Sequence, residues 1–187
     1  MQHTPATARA ADPAPDPAQQ TPLLRHLVAG QWRSSDGAEL ISTNPARPEE
    51  TVATGHLAGH AELDEAVAAA RADLPARAAL PHRSRGRVPA PAADRLDARA
   101  AEWGEELRRE EGKSRAEGVG EVRRAAEILR YYAAGADRPS GEVFASSRPG
   151  EQIRAVRRPV GVTAAVTPFT FPVTTTVYIR GSRTVIR

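Results

Sequence analysis

Gly112-Lys113-Ser114 carries the residue types of a phosphate-binding loop, in which backbone N–H groups and an ammonium meet anionic oxygens. The first glycine of that pattern would fall at Leu107, however, and no strand pattern precedes it. Gly118-Val119-Gly120 lacks the third glycine of a dinucleotide fingerprint and lies inside a helical pattern. His56 and His60 are four residues apart, a spacing that on a helix could hold zinc. Gly55 and Gly59 argue against such a helix, and no third ligand converges on the pair. No Gly-x-Ser-x-Gly is present. Cysteine is absent too, which removes a disulfide framework, a thiolate metal site and a cysteine nucleophile. A ligand-binding cleft is the remaining candidate.

The best candidate for such a cleft is Arg157 to Pro172, Arg-Arg-Pro-Val-Gly-Val-Thr-Ala-Ala-Val-Thr-Pro-Phe-Thr-Phe-Pro. Pro159 cannot donate a ladder hydrogen bond, so a strand is expected after it. Val160 to Val166 is a short apolar run rich in β-branched residues, which suits a strand covered on both faces. Thr167-Pro168 ends that strand. Pro172 fits the first turn of a helix, where its missing N–H costs nothing. Strand, tight loop and helix N-terminus is the order in which an α/β sheet presents a ligand site.

Upstream elements must hold that loop. Residues 1–22, rich in Pro, Ala and Gln, cannot bury enough apolar surface to offset ordering entropy and are expected to be disordered. Leu27-Val28 and Gln31-Trp32-Arg33 flank a two-residue turn at Ala29-Gly30. Glu39 to Ser42 and Thr51 to Thr54 read as strands separated by an Asn44-Pro45 turn. A first helix is expected from Ala61 to Leu74, with Leu63, Val67, Ala70 and Leu74 on one face. A second runs from Ala92 to Glu111, carrying Leu96, Ala100, Trp103 and Leu107 to a Gly112 cap. A third runs from Arg115 to Ala134, carrying Val122, Ala126, Leu129 and Ala133, and Gly135 ends it. Gly118 and Gly120 should weaken it by about 1 kcal/mol each relative to Ala. Gln152 to Arg158 alternates as a strand does. The 26 basic and 23 acidic side chains leave a net +3. They are mixed along the helices and aromatics make up only 4%, so a solvated surface is expected and nucleic-acid binding is not.

Pro159 to Pro172 resembles the aldehyde dehydrogenase segment P-x-G-V-x-x-x-I-x-P-W-N-F-P. Val28-Ala-Gly-Gln-Trp32 is similar to that family's I-x-G-x-W hairpin, and Ser42-Thr-Asn-Pro-Ala46 to its N-P-A/S turn. Ala66 to Arg71 resembles its A-V-x-A-A-R helix, and Glu111-Gly-Lys113 its T-G-K element. The order is the family's own, and the resemblance extends from about Leu23 to Thr176. It implies an α/β fold, the N-terminal part of an incomplete Rossmann-type domain whose helices precede the first parallel strand. Its expected divisions are a tail at 1–22, a hairpin and helical part at 23–140, a linker and bridging strand at 141–158, and a first strand, loop and truncated crossover at 159–187.

By the same resemblance the family oxidises an aldehyde to a carboxylic acid with NAD or NADP. A cysteine thiolate attacks and a glutamate activates water, both beyond Arg187 in the family's order. This chain alone is therefore expected to be inactive. Val166, Thr167, Pro168 and Phe169 match the loop that borders the dinucleotide, and the family's lysine falls near Arg180. Thr170 stands where the family's oxyanion-binding Asn would be. Two stretches depart from the pattern. His82 to Pro91 is too rich in Pro and Arg for opening helical turns, as a local frame shift would produce, so a helix should start only near Pro91. Thr174 to Arg187 is too short for the family's crossover and starts on three threonines, which make a poor helix start and predict a loosely held segment. No apolar run approaches the length needed to cross a bilayer and residues 1–22 hold no secretory apolar segment, so a cytoplasmic protein without membrane spans is expected. The resemblance further implies an aldehyde substrate and a homo-oligomer joined through the Gln152 strand. The alternative is a non-catalytic remnant or interaction module that pairs with an intact homologue.

Overall fold

The computed structural model describes residues 21–139 and 141–185, with side chains at 82 and 181–185 set aside. The N-terminal tail expected at 1–22 therefore lies almost wholly outside the described residues.

The chain opens with β1 (His26–Val28) and β2 (Gln31–Arg33), paired antiparallel. Ala29 (φ 50°) and Gly30 (φ 78°) both adopt left-handed backbone, as the expected two-residue turn requires. A second hairpin joins β3 (Glu39–Asn44) to β4 (Arg47–His56), longer on both sides than its sequence signal. His26 ties the two hairpins together, its Nε2 lying 3.0 Å from Ser35 Oγ and 3.1 Å from the carbonyl of His56. The histidine considered as a ligand at 56 thus takes part through its main chain.

Asn44 is fully buried at the tip of this hairpin. Its Oδ1 accepts from the Ala46 N–H at 3.0 Å, closing an Asx turn, and its Nδ2 donates to Glu50 at 2.9 Å. Arg109 Nε also donates to Glu50, at 2.6 Å, so the turn is tied to the helical layer. Asn44→Ala leaves the Ala46 amide and one Glu50 oxygen without these partners. It is expected to cost about 1–3 kcal/mol, read as a lowered urea midpoint.

The body is helical. α1 (His60–Ala79) runs five residues past the expected end at Leu74, straight through Pro75. Pro75 removes the donor for the carbonyl of Arg71, but both residues are exposed and solvent can replace it. None of α1 is fully buried, and Leu63 is 58% exposed. The expected apolar face Leu63–Val67–Ala70–Leu74 is covered only thinly by the described residues, with Leu63 and Ala70 exposed and Val67 and Leu74 half-buried. α2 (His82–Gly86) occupies the stretch expected to be non-helical, wedged so that a Cβ on Gly86 would sit 2.8 Å from the carbonyl of Ala133. α3 (Pro89–Ala98) begins two residues before the expected start, because both Pro89 and Pro91 fall in the first turn where no N–H is needed. The single helix expected to Glu111 is broken at Arg99 (φ −110°, ψ 15°), and α4 (Ala100–Glu111) completes it. Gly112 caps α4 at φ 75°.

α5 (Arg115–Ala134) matches its expected limits. Ser114 accepts from the Glu117 N–H while Glu117 accepts from the Ser114 N–H, a capping box at a serine read in the sequence only as part of a phosphate loop. Ala93, Leu96, Ala100 and Leu107 meet Val122, Ala125, Ala126 and Leu129 in one core, with Trp103 packed at its edge. The abundant arginines pair along the surface, as Arg108 with Glu105 at 2.6 Å and Arg130 with Asp97 at 2.5 Å. A short 3₁₀ turn follows at Gly135–Asp137.

Beyond it, β5 (Gly141–Ala145) and β6 (Gln152–Val156) form a fully exposed antiparallel ribbon, where the sequence suggested one strand reaching Arg158. Residues 157–171 contain no strand. The expected strand at Val160–Val166 is a correction: a strand exists only against a neighbour, and no described strand lies beside these residues. α6 (Pro172–Val185) is a second correction, since the three threonines do begin a helix. Pro172 stands at its first position, and Val173 and Val177 pack on the α3–α5 core.

Candidate functional site

Three of the five stretches that carried the sequence signal, Ser42–Ala46, Glu111–Lys113 and Pro159–Pro172, meet at Gly112 and Lys113. A Cβ on Gly112 would meet Pro45 Cγ at 2.8 Å, so the Asn44-Pro45 turn seats on this glycine. Lys113 then reaches the opposite way. Its Nζ donates to Glu111 at 2.7 Å, to Glu121 at 2.5 Å and to the main-chain carbonyl of Thr170 at 3.3 Å. It also lies 5.1 Å from the ring centre of Phe171. Burial works against the ammonium, but hydrogen bonds to Glu111 and Glu121 outweigh it and hold the Lys113 pKa above the ordinary lysine value.

Glu121 projects from the middle of α5 into the start of α6. Its Oε1 accepts from the N–H groups of Val173 and Thr174 at 3.0 and 3.2 Å, while its main-chain carbonyl accepts from Thr174 Oγ1 at 3.3 Å. The first amides of α6, which the helix itself cannot satisfy, therefore bind an internal carboxylate. That fills the helix N-terminus the sequence offered as a ligand site. It also explains why a threonine run can start a helix. Glu121 was the residue sequence reading missed. The signal was an acidic side chain on the buried stripe of α5, three residues after Gly118 and four before Ala125.

The expected site residues divide between two recesses. Thr167 and Arg180 face a cleft of about 640 Å³ between α1, residues 161–167 and α6, alongside Asp73, Arg77 and Thr176. Phe169 and Thr170 line a second recess of about 320 Å³ with Phe171, Lys113, Glu111 and Glu117. Val166, 96% exposed, and Pro168 line neither of these two recesses. The loop is held from beneath by Lys113 and is open above, with Phe169 83% exposed. Among the described residues no cluster of three His, Asp or Glu side chains could hold a metal ion, and no helix is long and apolar enough to cross a membrane.

The chain is 35% identical over 150 residues to the alpha-ketoglutarate semialdehyde dehydrogenase of Haloferax volcanii, covering 80% of this chain and 31% of that protein. Its fold is similar to an NAD-dependent benzaldehyde dehydrogenase from Corynebacterium glutamicum (TM-score 0.73, 28% identity), covering 82% of this chain and 33% of that one. It is also similar to an NADP-dependent glyceraldehyde-3-phosphate dehydrogenase from Bacillus halodurans complexed with NADP (TM-score 0.81, 25% identity), covering 90% and 36%. The chain thus spans about a third of the length of the relatives it matches. The sequence model of the aldehyde dehydrogenase family matches residues 32–178, which takes in the Gly112–Lys113 junction, Glu121 and the Thr170 turn together, and the chain belongs to that family.

Proposed function

We propose that these residues are the N-terminal part of the dinucleotide-binding half of an NAD(P)-dependent aldehyde dehydrogenase acting in the cytoplasm. The observation that carries this reading is the Phe169–Phe171 turn drawn down onto Lys113 beside a cleft rich in hydroxyl and guanidinium groups. Thr167, Thr176 and Arg180 are the donor types that meet ribose hydroxyls and phosphate oxygens, and a cleft of about 640 Å³ is in the range of cofactor sites. They fit one side of a dinucleotide. The filled N-terminus of α6 leaves the pyrophosphate to be held elsewhere. When bound, the nicotinamide supplies a hydride acceptor; the chain's own contribution is to orient it and to place Thr170 near the carbonyl oxygen.

A threonine hydroxyl donates one hydrogen bond but is shorter than the amide it replaces. Loss of one such donor costs about 2.7–4 kcal/mol of barrier, or roughly 10²–10³ in kcat. The 187-residue chain is expected to show no aldehyde-dependent reduction of NAD or NADP at 340 nm, and turnover would overturn that statement. Joined in frame to the remaining two thirds of a relative, it is expected to turn over weakly. Thr170→Asn should then raise kcat by about 10²-fold. A hybrid indifferent to residue 170 would remove Thr170 from the oxyanion position.

One observation favours a second reading, a module that pairs with a related subunit. The β5–β6 ribbon is open on both faces, with Val143 (65% exposed) and Val156 (58%) on one and Ile153 (51%) on the other, and its outer edges are unpaired among the described residues. Co-purification with an intact homologue, lost when Val143 and Ile153 become lysine, would support it.

A further inference from the structure

The turn at Phe169–Phe171 is held by little apolar packing. Phe169 and Phe171 are 83% and 55% exposed, and no strand ladder fixes the residues before them. Two polar anchors take its place. Lys113 Nζ grips the carbonyl of Thr170, and Glu121 Oε1 grips the N–H groups of Val173 and Thr174. Only Phe171 and Pro172 lie between these anchors, and Pro172 has its φ fixed by its ring. The anchors are joined to each other, since Glu121 Oε2 accepts from Lys113 at 2.5 Å.

We propose that Lys113 and Glu121 are a buried positioning pair that fixes Thr170 in space, acting on the main chain at Thr170 itself and just after the turn at Val173 and Thr174, and not on any ligand.

The charge balance supports this assignment. The Glu121 side chain is 2% exposed and Lys113 13%, so neither is held in place as a surface charge. The three donors of the ammonium are matched by Glu121, Glu111 and the Thr170 carbonyl. The two carboxylates face one ammonium, and the positive end of α6 offsets the excess. A pair meant only to hold α4 to α5 would have no reason to spend a donor on Thr170 or an oxygen on α6. That the held residue meets an oxyanion rests on the function proposed above; that the pair holds it does not.

The test is amide ¹⁵N relaxation and hydrogen exchange on the 187-residue chain, without aldehyde or cofactor. Lys113→Met keeps the volume and removes the grip. Order parameters at Thr170 and Phe171 are expected to drop to about 0.6 or below, while Val122 and Leu129 in α5 stay near 0.85. Lys113→Arg is expected to restore order at Thr170. Glu121→Gln can still accept from α6 but cannot pair with the ammonium, so Val173 and Thr174 should remain protected while Thr170 loosens. Unchanged order at Thr170 in Lys113→Met, or equal loosening throughout α3–α5, would overturn the proposal. The hybrid assay of Thr170→Asn fails or succeeds independently of these results, so the two readings separate.

Discussion

Gly118→Ala is expected to destabilise the chain by about 3 kcal/mol, at the upper end of overpacking costs, while Gly120→Ala stabilises it by up to about 1 kcal/mol. The two glycines are neighbours on one helix, and propensity alone assigns them the same sign. Contact separates them. A Cβ on Gly118 would stand 2.3 Å from the carbonyl oxygen of Gly104 and 3.2 Å from its Cα. The reverse holds as well, since a Cβ on Gly104 would stand 2.6 Å from the Val119 nitrogen. Both obstacles are backbone, so no side chain can swing aside. α4 and α5 must separate instead, and the Leu107–Val122 core between them opens. Gly120 has nothing within 4 Å of its would-be Cβ. Urea denaturation of the two variants decides the matter: equal midpoints would mean that the helices are not in close contact at Gly104 and Gly118.

That contrast marks where the sequence could be read and where it could not. Signals carried by neighbouring residues survived: Ala29-Gly30 in the hairpin turn and Gly112 at the end of α4. Signals that depend on a distant partner did not. Val160–Val166 has the composition of a covered strand, but pairing is a relation, and no described strand stands beside it. The face of α1 fails for the same reason, with Leu63 mostly exposed. Conversely, Thr174-Thr175-Thr176 was disfavoured by propensity and became helix because Glu121 supplied from outside what the helix start lacks. The site follows the same rule. Thr170 was legible as a position, while the lysine and glutamate beneath it were visible only as a motif residue and as an acid on an apolar stripe.

Glu121→Ala is the variant expected to cost most, about 3–5 kcal/mol, because it removes one partner of a buried ion pair. Lys113 would keep Glu111 at 2.7 Å, which argues for the lower half of that range. The N–H groups of Val173 and Thr174 lose their acceptor at the same time, and a lost helix cap costs about 0.5–2 kcal/mol by itself. The damage should be local before it is global. Exchange at Val173 and Thr174 is expected to quicken by about tenfold or more, ahead of any change at Leu96 or Leu129. The double variant Lys113→Met, Glu121→Ala should then be less destabilised than the sum of its single changes, since it removes the stranded charge together with its partner. Strict additivity in that cycle would mean that the two side chains do not share their energy. Lys113 would then be held chiefly by Glu111, and α6 would owe its start to Pro172 and to packing by Val173 and Val177 alone.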